Sequence, residues 1–174
     1  METIEAIKKR RSIRTFRTNP VPKETIIKLL DCARLAPTAR NVQPWEFIVV
    51  ADNKTREKIA SLAPNAPFVK DAPVCIVIIC KDTKYYLEDG CAATQNLLLA
   101  ATDLGLGACW VAGDKKDYCN EVLGMLNVPS GYKLVSMVAL GIAVEELPEL
   151  DKKDLDKLIH WESFKSSAWL NVKP

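Results

Sequence analysis

One stretch of the sequence, residues 89–104, limits the possible folds of this chain more than any other. Apolar residues occur nearly all round a helix drawn through it, including Leu97, Leu98 and Leu99. A helix without a polar face has to be covered on every side. A chain of 174 residues has the size of one ordinary domain, with little interior to hide such a helix. We therefore predict one domain, residues 1–174, whose apolar helix packs partly against a second subunit.

The remaining elements follow from apolar spacing and from the positions of proline and glycine. Helices are predicted over residues 3–10, 23–36, 54–62 and 115–126. Strands are predicted over residues 45–50, 74–80, 105–113 and 132–144, with one more helical turn in residues 155–161. Two helices come first, so the order lacks the regular alternation of a doubly wound fold. The expected fold class is an α+β sandwich.

Composition excludes several classes of function. The 24 basic and 22 acidic residues nearly cancel, which does not indicate a nucleic-acid surface. No apolar run approaches the roughly 20 residues of a membrane span, so we expect a cytoplasmic protein without a membrane partner. The six cysteines include no C-x-x-C pair, and His160 is the single histidine. We therefore predict neither a disulfide framework nor a metal site.

Residues 10–16, here called the arginine segment, concentrate hydrogen-bond donors for an anion. If the segment is extended, Arg10, Ser12 and Arg14 share one face and Ile13 points into the core. Guanidinium groups and a hydroxyl suit a phosphate, because forked N–H donors match paired oxygens. The alternative is a solvated basic turn in which arginines complement the end of the first helix. These residues alone leave both interpretations open.

Residues 37–44, here called the proline loop, form a polar stretch that leads directly into a core strand. Its Asn41 and Gln43 therefore lie close to buried structure. Such amides either meet a ligand or satisfy the backbone of a rigid loop, and the sequence leaves both possibilities open. By default, Lys152 and Lys153 form a solvated pair in an acidic stretch.

Gly105 and Gly107 suggest a dinucleotide-binding motif, but the pattern fails. Trp110 stands where a third glycine is required, and the glycines follow a helix and open a strand instead of the reverse. The same segment offers backbone without bulky polar side chains at Ala112 and Gly113, where a flat ligand could lie against main-chain N–H groups.

An ordered set of motifs resembles the nitroreductase family of flavoproteins. The motifs are RRSIRTF (10–16), APTARNVQPWEF (36–47), DAPV (71–74), GLGACW (105–110), LGIA (140–143) and LIHW (158–161). Each motif is weak alone, but together they span almost the whole chain in the family's order. The resemblance implies a mostly antiparallel sheet flanked by helices, in an intertwined homodimer that holds FMN at the subunit interface.

The resemblance also assigns residues to the cofactor. It places the FMN phosphate and the pyrimidine side of the ring on Arg10, Arg11, Ser12 and Arg14. It implies that the other subunit contributes Pro37, Thr38 and Ala39, with Asn41 and Gln43 nearby. It places the ring near Asn65 and against Val111, Ala112 and Gly113, and the phosphate near Lys152 or Lys153.

The implied activity is an FMN-dependent, ping-pong transfer of hydride from NADH or NADPH to a small oxidised acceptor such as a nitroaromatic or a quinone. No side-chain nucleophile is then required, so no catalytic residue is named. Larger family members carry a helical lid where this chain has only residues 81–88, which predicts an open substrate face. The alternatives are reductive dehalogenation, flavin fragmentation, or non-catalytic storage and delivery of FMN.

Overall fold

The computed structural model describes residues 1–164. The helices are α1 (Thr3–Lys9), α2 (Lys23–Arg34), α3 (Asn53–Leu62), α4 (Tyr86–Asp103) and α5 (Cys119–Met125). The strands are β1 (Trp45–Val50), β2 (Val74–Lys81), β3 (Gly107–Ala112) and β4 (Tyr132–Gly141). Short 3-10 helices span Ala39–Asn41, Pro67–Lys70 and Leu155–Lys157. The predicted order of helices and strands is confirmed.

The four strands form one sheet in the order β1-β2-β4-β3, and each neighbouring pair is antiparallel. The arginine segment extends the sheet beyond β3 through a parallel bridge between Ser12 and Ala108. A second bridge joins Phe16 to Ala143 in antiparallel orientation. A mostly antiparallel sheet flanked by helices confirms the predicted α+β class.

Helices cover both faces of the sheet, and this explains the unbroken apolar run of β2. Alternate side chains such as Ile76 and Ile78 face a core formed with α2 and α4. The intervening Val77 and Ile79 face a second core formed with α3 and α5. A strand buried on both faces has no solvent side and therefore carries no polar residue within its buried part.

Several element boundaries differ from the predictions. Helix α4 begins at Tyr86, one turn before the predicted start, so Asp89 lies inside it. Helix α5 begins at Cys119 instead of residue 115, because Lys115 adopts a positive φ of 63° that a helix does not tolerate. Residues 155–161 contain only the short 3-10 helix, and β4 ends at Gly141.

The chain itself covers most of α4, which packs against the sheet and against α1 and α2. Tyr85 and Leu104, which flank α4, are exposed. Other large exposed apolar side chains on the first two helices and near the end of the described chain include Ile4, Ile7, Ile27, Leu150, Leu155, Leu158 and Phe164. The predicted helix 3–10 is amphipathic, but Ala6 faces the core while Ile4 is 68% exposed. Trp169, expected to cover a partner surface with Trp161 and Phe164, lies outside the described residues.

No helix among residues 1–164 is both long enough and apolar enough to cross a bilayer. All six cysteines are free thiols, and three of them, Cys75, Cys80 and Cys109, are buried.

Candidate functional site

The arginine segment is extended and is fixed to the edge of β3. The Ile13 N–H donates to the carbonyl oxygen of Ala108 at 3.0 Å, and the Ile13 side chain is buried as predicted. A Cβ atom at Gly107 would lie 2.8 Å from the Ile13 side chain, so only glycine allows this close packing. The segment is therefore a rigid extension of the sheet, and the alternative of a solvated turn is wrong for its backbone.

One cleft, here called the arginine cleft, brings four of the predicted phosphate-binding residues together. It has a volume of about 510 Å³, and its lining includes Arg10, Arg11, Ser12 and Lys152. Within residues 1–164, neither the Arg10 guanidinium nor the Ser12 hydroxyl has a side-chain hydrogen bond or ion pair. Lys153 is not among the lining residues. Of the two predicted lysines, the geometry therefore favours Lys152.

Arg11 has a different role from its neighbours. Its Nε donates to the carbonyl oxygen of Pro148 at 2.9 Å, and its Nη1 donates to the carbonyl oxygens of Lys8 and Arg10 at 2.6 and 3.0 Å. Its Nη2 lies 3.7 Å from a carboxylate oxygen of Glu149. These bonds use most of the guanidinium donors. Arg11 therefore tethers the chain segment that carries Lys152, and few of its donors stay open to the cleft.

Arg14 lies in a neighbouring cleft, here called the Asn65 cleft, so the predicted common face of Arg10, Ser12 and Arg14 is divided between two clefts. The Asn65 cleft is lined by Arg14, Asn65, Val111 and Ala112, among others. Burial raises the pKa of the Cys109 thiol, and the positive charges of Arg14 and Arg10 partly oppose this rise. The two clefts are neighbours, because Arg14 Nη1 donates to the carbonyl oxygen of Ser12, which lines the arginine cleft, at 3.2 Å.

Gly113 is required for packing and does not offer its N–H to a ligand. The N–H donates to the carbonyl oxygen of Val135 at 3.2 Å, and a Cβ atom would lie 2.6 Å from the Val135 backbone. Of the main-chain N–H groups predicted to face a flat ligand at Ala112 and Gly113, that of Gly113 is therefore used within the sheet. Val111 and Ala112 line the Asn65 cleft, and Ala112 is exposed.

The proline loop is held by hydrogen bonds to a single buried carboxylate. Asp89, 5% exposed on α4, accepts from the Thr38 hydroxyl at 2.7 Å and from the Ala39 N–H at 3.1 Å. The Thr38 hydroxyl oxygen in turn accepts from the Gln43 N–H at 3.1 Å. The Gln43 side-chain amide donates to Asn41 Oδ1 at 3.1 Å. The two amides thus bond within a rigid loop, as the alternative interpretation predicted.

The proline loop also contains three non-glycine residues with positive φ. The values are 54° at Arg40, 56° at Asn41 and 50° at Gln43. Such conformations are uncommon outside glycine and persist where surrounding contacts enforce them. The loop therefore has one defined shape that the chain maintains at a conformational cost, and this is typical of a segment that meets a ligand or a partner.

Within one chain, the proline loop and the arginine segment lie at diagonally opposite corners of the sheet. The loop precedes Trp45, which pairs with Cys80 on β2. Ser12 forms a bridge with Ala108 on β3. Ala108 pairs with Leu140 on β4, and Leu140 pairs with Val74, which lies at the opposite end of β2 from Cys80. These corners are separated by about 20 Å along the strands and by about 19 Å across them, at ~3.3 Å per residue and ~4.8 Å per strand. One chain therefore cannot bring both groups to one ligand.

Two residues that contact the predicted site residues were not predicted from the sequence. Asp89 was taken as a helix start, although an acid within a long apolar helix is a candidate for a buried carboxylate that needs donors. Phe68, over which the Arg14 guanidinium lies at 5.8 Å from the ring centroid, gave no signal, because the contact joins segments far apart in sequence.

The chain belongs to the nitroreductase family: the profile of that family matches residues 7–73 and 60–142. This confirms the resemblance found in the motifs and the prediction of an oxidoreductase.

Individual relatives and solved structures support this family assignment. A protein of Methanothermobacter thermautotrophicus, provisionally named NADH dehydrogenase/NAD(P)H nitroreductase, is 38% identical over 170 residues, covering 94% of this chain and 88% of the relative. The solved structure of an FMN-dependent nitroreductase from Clostridium difficile R20291 superimposes with a TM-score of 0.86 at 33% identity, covering 92% of this chain and 99% of that one. An iodotyrosine deiodinase of Thermotoga neapolitana is 26% identical over 183 residues, covering 90% and 96%.

Proposed function

We propose that this protein is an FMN-dependent oxidoreductase that transfers hydride from NADH or NADPH to a small oxidised acceptor. The observation that carries this proposal is the donor set of Arg10, Ser12 and Lys152, which lines one cleft without internal partners in the described part of the chain. Chemically, the set fits a phosphate group, because two cations and a hydroxyl supply charge-assisted hydrogen bonds to several oxygens. The family and its relatives support FMN as the bearer of that phosphate.

The neighbouring Asn65 cleft fits the ring of the same cofactor. Asn65 supplies an amide with both donor and acceptor atoms, and Arg14 supplies a positive charge beside it. Ala112 offers an exposed, small residue against which a flat ring can lie. In this arrangement Arg14 stabilises negative charge at the ring edge, which is a preorganised electrostatic contribution.

We further propose that the functional unit is a homodimer in which each site combines the arginine segment of one chain with the proline loop of the other. The diagonal separation of the two elements within one chain supports this arrangement. Exposed apolar residues on α1 and α2, such as Ile4, Ile7 and Ile27, supply a surface for the partner. Each chain forms one domain, and the cytoplasmic location stays a prediction.

Bound FMN would supply the hydride chemistry itself, and the protein residues would supply binding, orientation and charge. Only residues 82–85 connect β2 to α4, so no helical lid is inserted between these two elements. We infer that reductant and acceptor use the same open face in turn, which is a ping-pong scheme. An open face also favours small acceptors of several kinds, such as nitroaromatics and quinones.

A second candidate function is reductive dehalogenation, and the relative named iodotyrosine deiodinase favours it. Flavin fragmentation, and storage or delivery of FMN without catalysis, are further alternatives. A dehalogenase would use the same arginine and Asn65 clefts, so the difference lies in the acceptor.

The proposed function is tested by reconstituting the protein with FMN and adding NADH or NADPH without oxygen. We expect a flavin absorption band that bleaches quickly and returns when a quinone or a nitroaromatic is added. A bound flavin that stays oxidised would indicate a carrier instead. The absence of any flavin band after reconstitution would contradict the proposal as a whole.

A further inference from the structure

Arg56 on α3 is a buried cation that forms no ion pair among residues 1–164, since the nearby Asp52 carboxylate, with which it interacts electrostatically, bonds to Thr55. Its side chain is 8% exposed, Nη1 donates to the carbonyl oxygen of Ala51 at 2.5 Å, and Nη2 donates to Asn53 Oδ1 at 3.2 Å. Its Nε is buried and has no hydrogen-bond partner. Within residues 1–164, Arg56 forms no ion pair with a carboxylate. An unpaired buried charge destabilises a protein unless an anion accompanies it.

Arg56 lines a cleft, here called the Arg56 cleft, in which positive charge predominates. The cleft has a volume of about 620 Å³, within the usual range for small-molecule sites. Arg14 and Lys70 are its other cations, and Asp71 is its single carboxylate. Within the described residues, neither Lys70 nor Asp71 forms an ion pair.

Neutral donors complete the lining. Thr15 and Thr18 both line the cleft, and neither hydroxyl forms a hydrogen bond within residues 1–164. A phosphate group carries between one and two negative charges at neutral pH and has several acceptor oxygens. It therefore satisfies cations and hydroxyls together, and a guanidinium meets two of its oxygens at once.

We propose that the Arg56 cleft is a second anion site that binds a phosphate group, distinct from the arginine cleft proposed for FMN. The two clefts share no lining residue, since the arginine cleft is lined by Arg10, Ser12 and Lys152 among others. Lys70 supplies an exposed charge to the lining of the Arg56 cleft, and Arg56 supplies a buried one. Arg14, which lines both this cleft and the Asn65 cleft, joins the new site to the proposed ring position.

The phosphate has two possible sources, a free phosphate or phosphorylated metabolite, and the 2′-phosphate of NADPH. The chemistry recognised is the same in both cases. The second source rests on the proposed function, because it requires a nicotinamide reductant, whereas the first does not.

The site is tested by calorimetric titration of the FMN-loaded protein with inorganic phosphate at low ionic strength. We expect Lys70→Gln to weaken phosphate binding about tenfold, because it removes a charge-assisted hydrogen bond. Asp71→Asn should strengthen binding, since it removes the single carboxylate of the cleft. Lys58→Gln is the matched control, because Lys58 is exposed on α3 and does not line the cleft. Lys70 is exposed as well, so its substitution leaves the core intact.

Titrations with NADP⁺ and NAD⁺ distinguish the sources. Tighter binding of NADP⁺ than of NAD⁺ that disappears in Lys70→Gln would identify the 2′-phosphate. Equal binding of the two nucleotides, with Lys70-dependent binding of inorganic phosphate, would identify a free phosphate. Phosphate binding that is undetectable, or equally affected by Lys70→Gln and Lys58→Gln, would overturn the proposal. Lys70-dependent phosphate binding in a protein that fails to bind FMN would defeat the proposed function and keep the second anion site.

Discussion

The proline loop and the arginine segment are both polar and both belong to the proposed site, but they are built in opposite ways. In the loop, Thr38, Ala39 and Gln43 bond to each other or to Asp89 on α4, so the loop is held by contacts within its own chain. In the arginine segment, the side chains of Arg10 and Ser12 lack internal partners in the described part of the chain. In the proposed site, the preformed loop therefore contacts the ligand of the other chain, and the open arginine segment binds the phosphate.

The largest effect is expected from Asp89→Ala, which removes the anchor of the proline loop. Two charge-assisted hydrogen bonds are lost from a buried site, so we expect the free energy of unfolding to fall by about 3 kcal/mol. Urea denaturation measures this change. Trypsin should also cut faster after Arg40, because the loop loses its defined shape.

Glu88→Gln is the matched control for this substitution, because Glu88 is exposed and adjacent in sequence. Its stability and its rate of cleavage should match those of the unmodified protein. If Asp89→Ala behaved like the control, the loop would not depend on this carboxylate, and the contrast between the two elements would lose its basis.

Arg10→Ala and Lys152→Ala are expected to weaken FMN binding about ten- to a hundredfold each, at roughly 1.5–3 kcal/mol per charge-assisted contact. Neither substitution should change the unfolding of the flavin-free protein much, since Arg10 has no internal partner to lose among the described residues. Fluorescence titration with FMN measures the affinity. Lys153→Ala and Lys81→Ala are the controls, and a similar loss in either would show that only overall charge matters.

Arg11→Gln should have the smallest effect on FMN affinity, about three- to fivefold, because Arg11 acts by tethering the chain at Pro148 and Glu149. The tether positions Lys152, so the combined variant Arg11→Gln with Lys152→Ala should bind FMN no more weakly than Lys152→Ala alone. Additive losses in the same titration would instead indicate that Arg11 contacts the phosphate directly.

The sequence was sufficient for the parts of the fold that depend on local apolar patterns. The strand over residues 45–50 and the order of all helices and strands were predicted, because burial on one or both faces leaves a clear pattern. The orientation of α1 was not predicted. Ile4 and Ile7 form an apolar face in the sequence that resembles a core-facing one, but both side chains are exposed in the structure. A surface for a partner has the same composition as a core.

The candidate site also has features that could not be predicted from the sequence. Arg10, Ser12 and Arg14 were identified from their density and from the family motif, but their division between two clefts follows from the pairing of Ser12 with Ala108. The occupation of the Gly113 N–H by Val135 and the tether formed by Arg11 also arise from contacts between distant segments. Local sequence patterns do not contain such contacts.

The central claim is that each site combines the arginine segment of one chain with the proline loop of another. It is tested most directly by co-expressing Arg10→Ala and Asp89→Ala chains with different affinity tags and isolating the mixed dimer. If the account is right, one site carries both defects and the other carries none. We expect the mixed dimer to bind one FMN with the affinity of the unmodified protein, although neither variant alone does so. A mixed dimer without any site of normal affinity would contradict the claim and place the whole site on one chain.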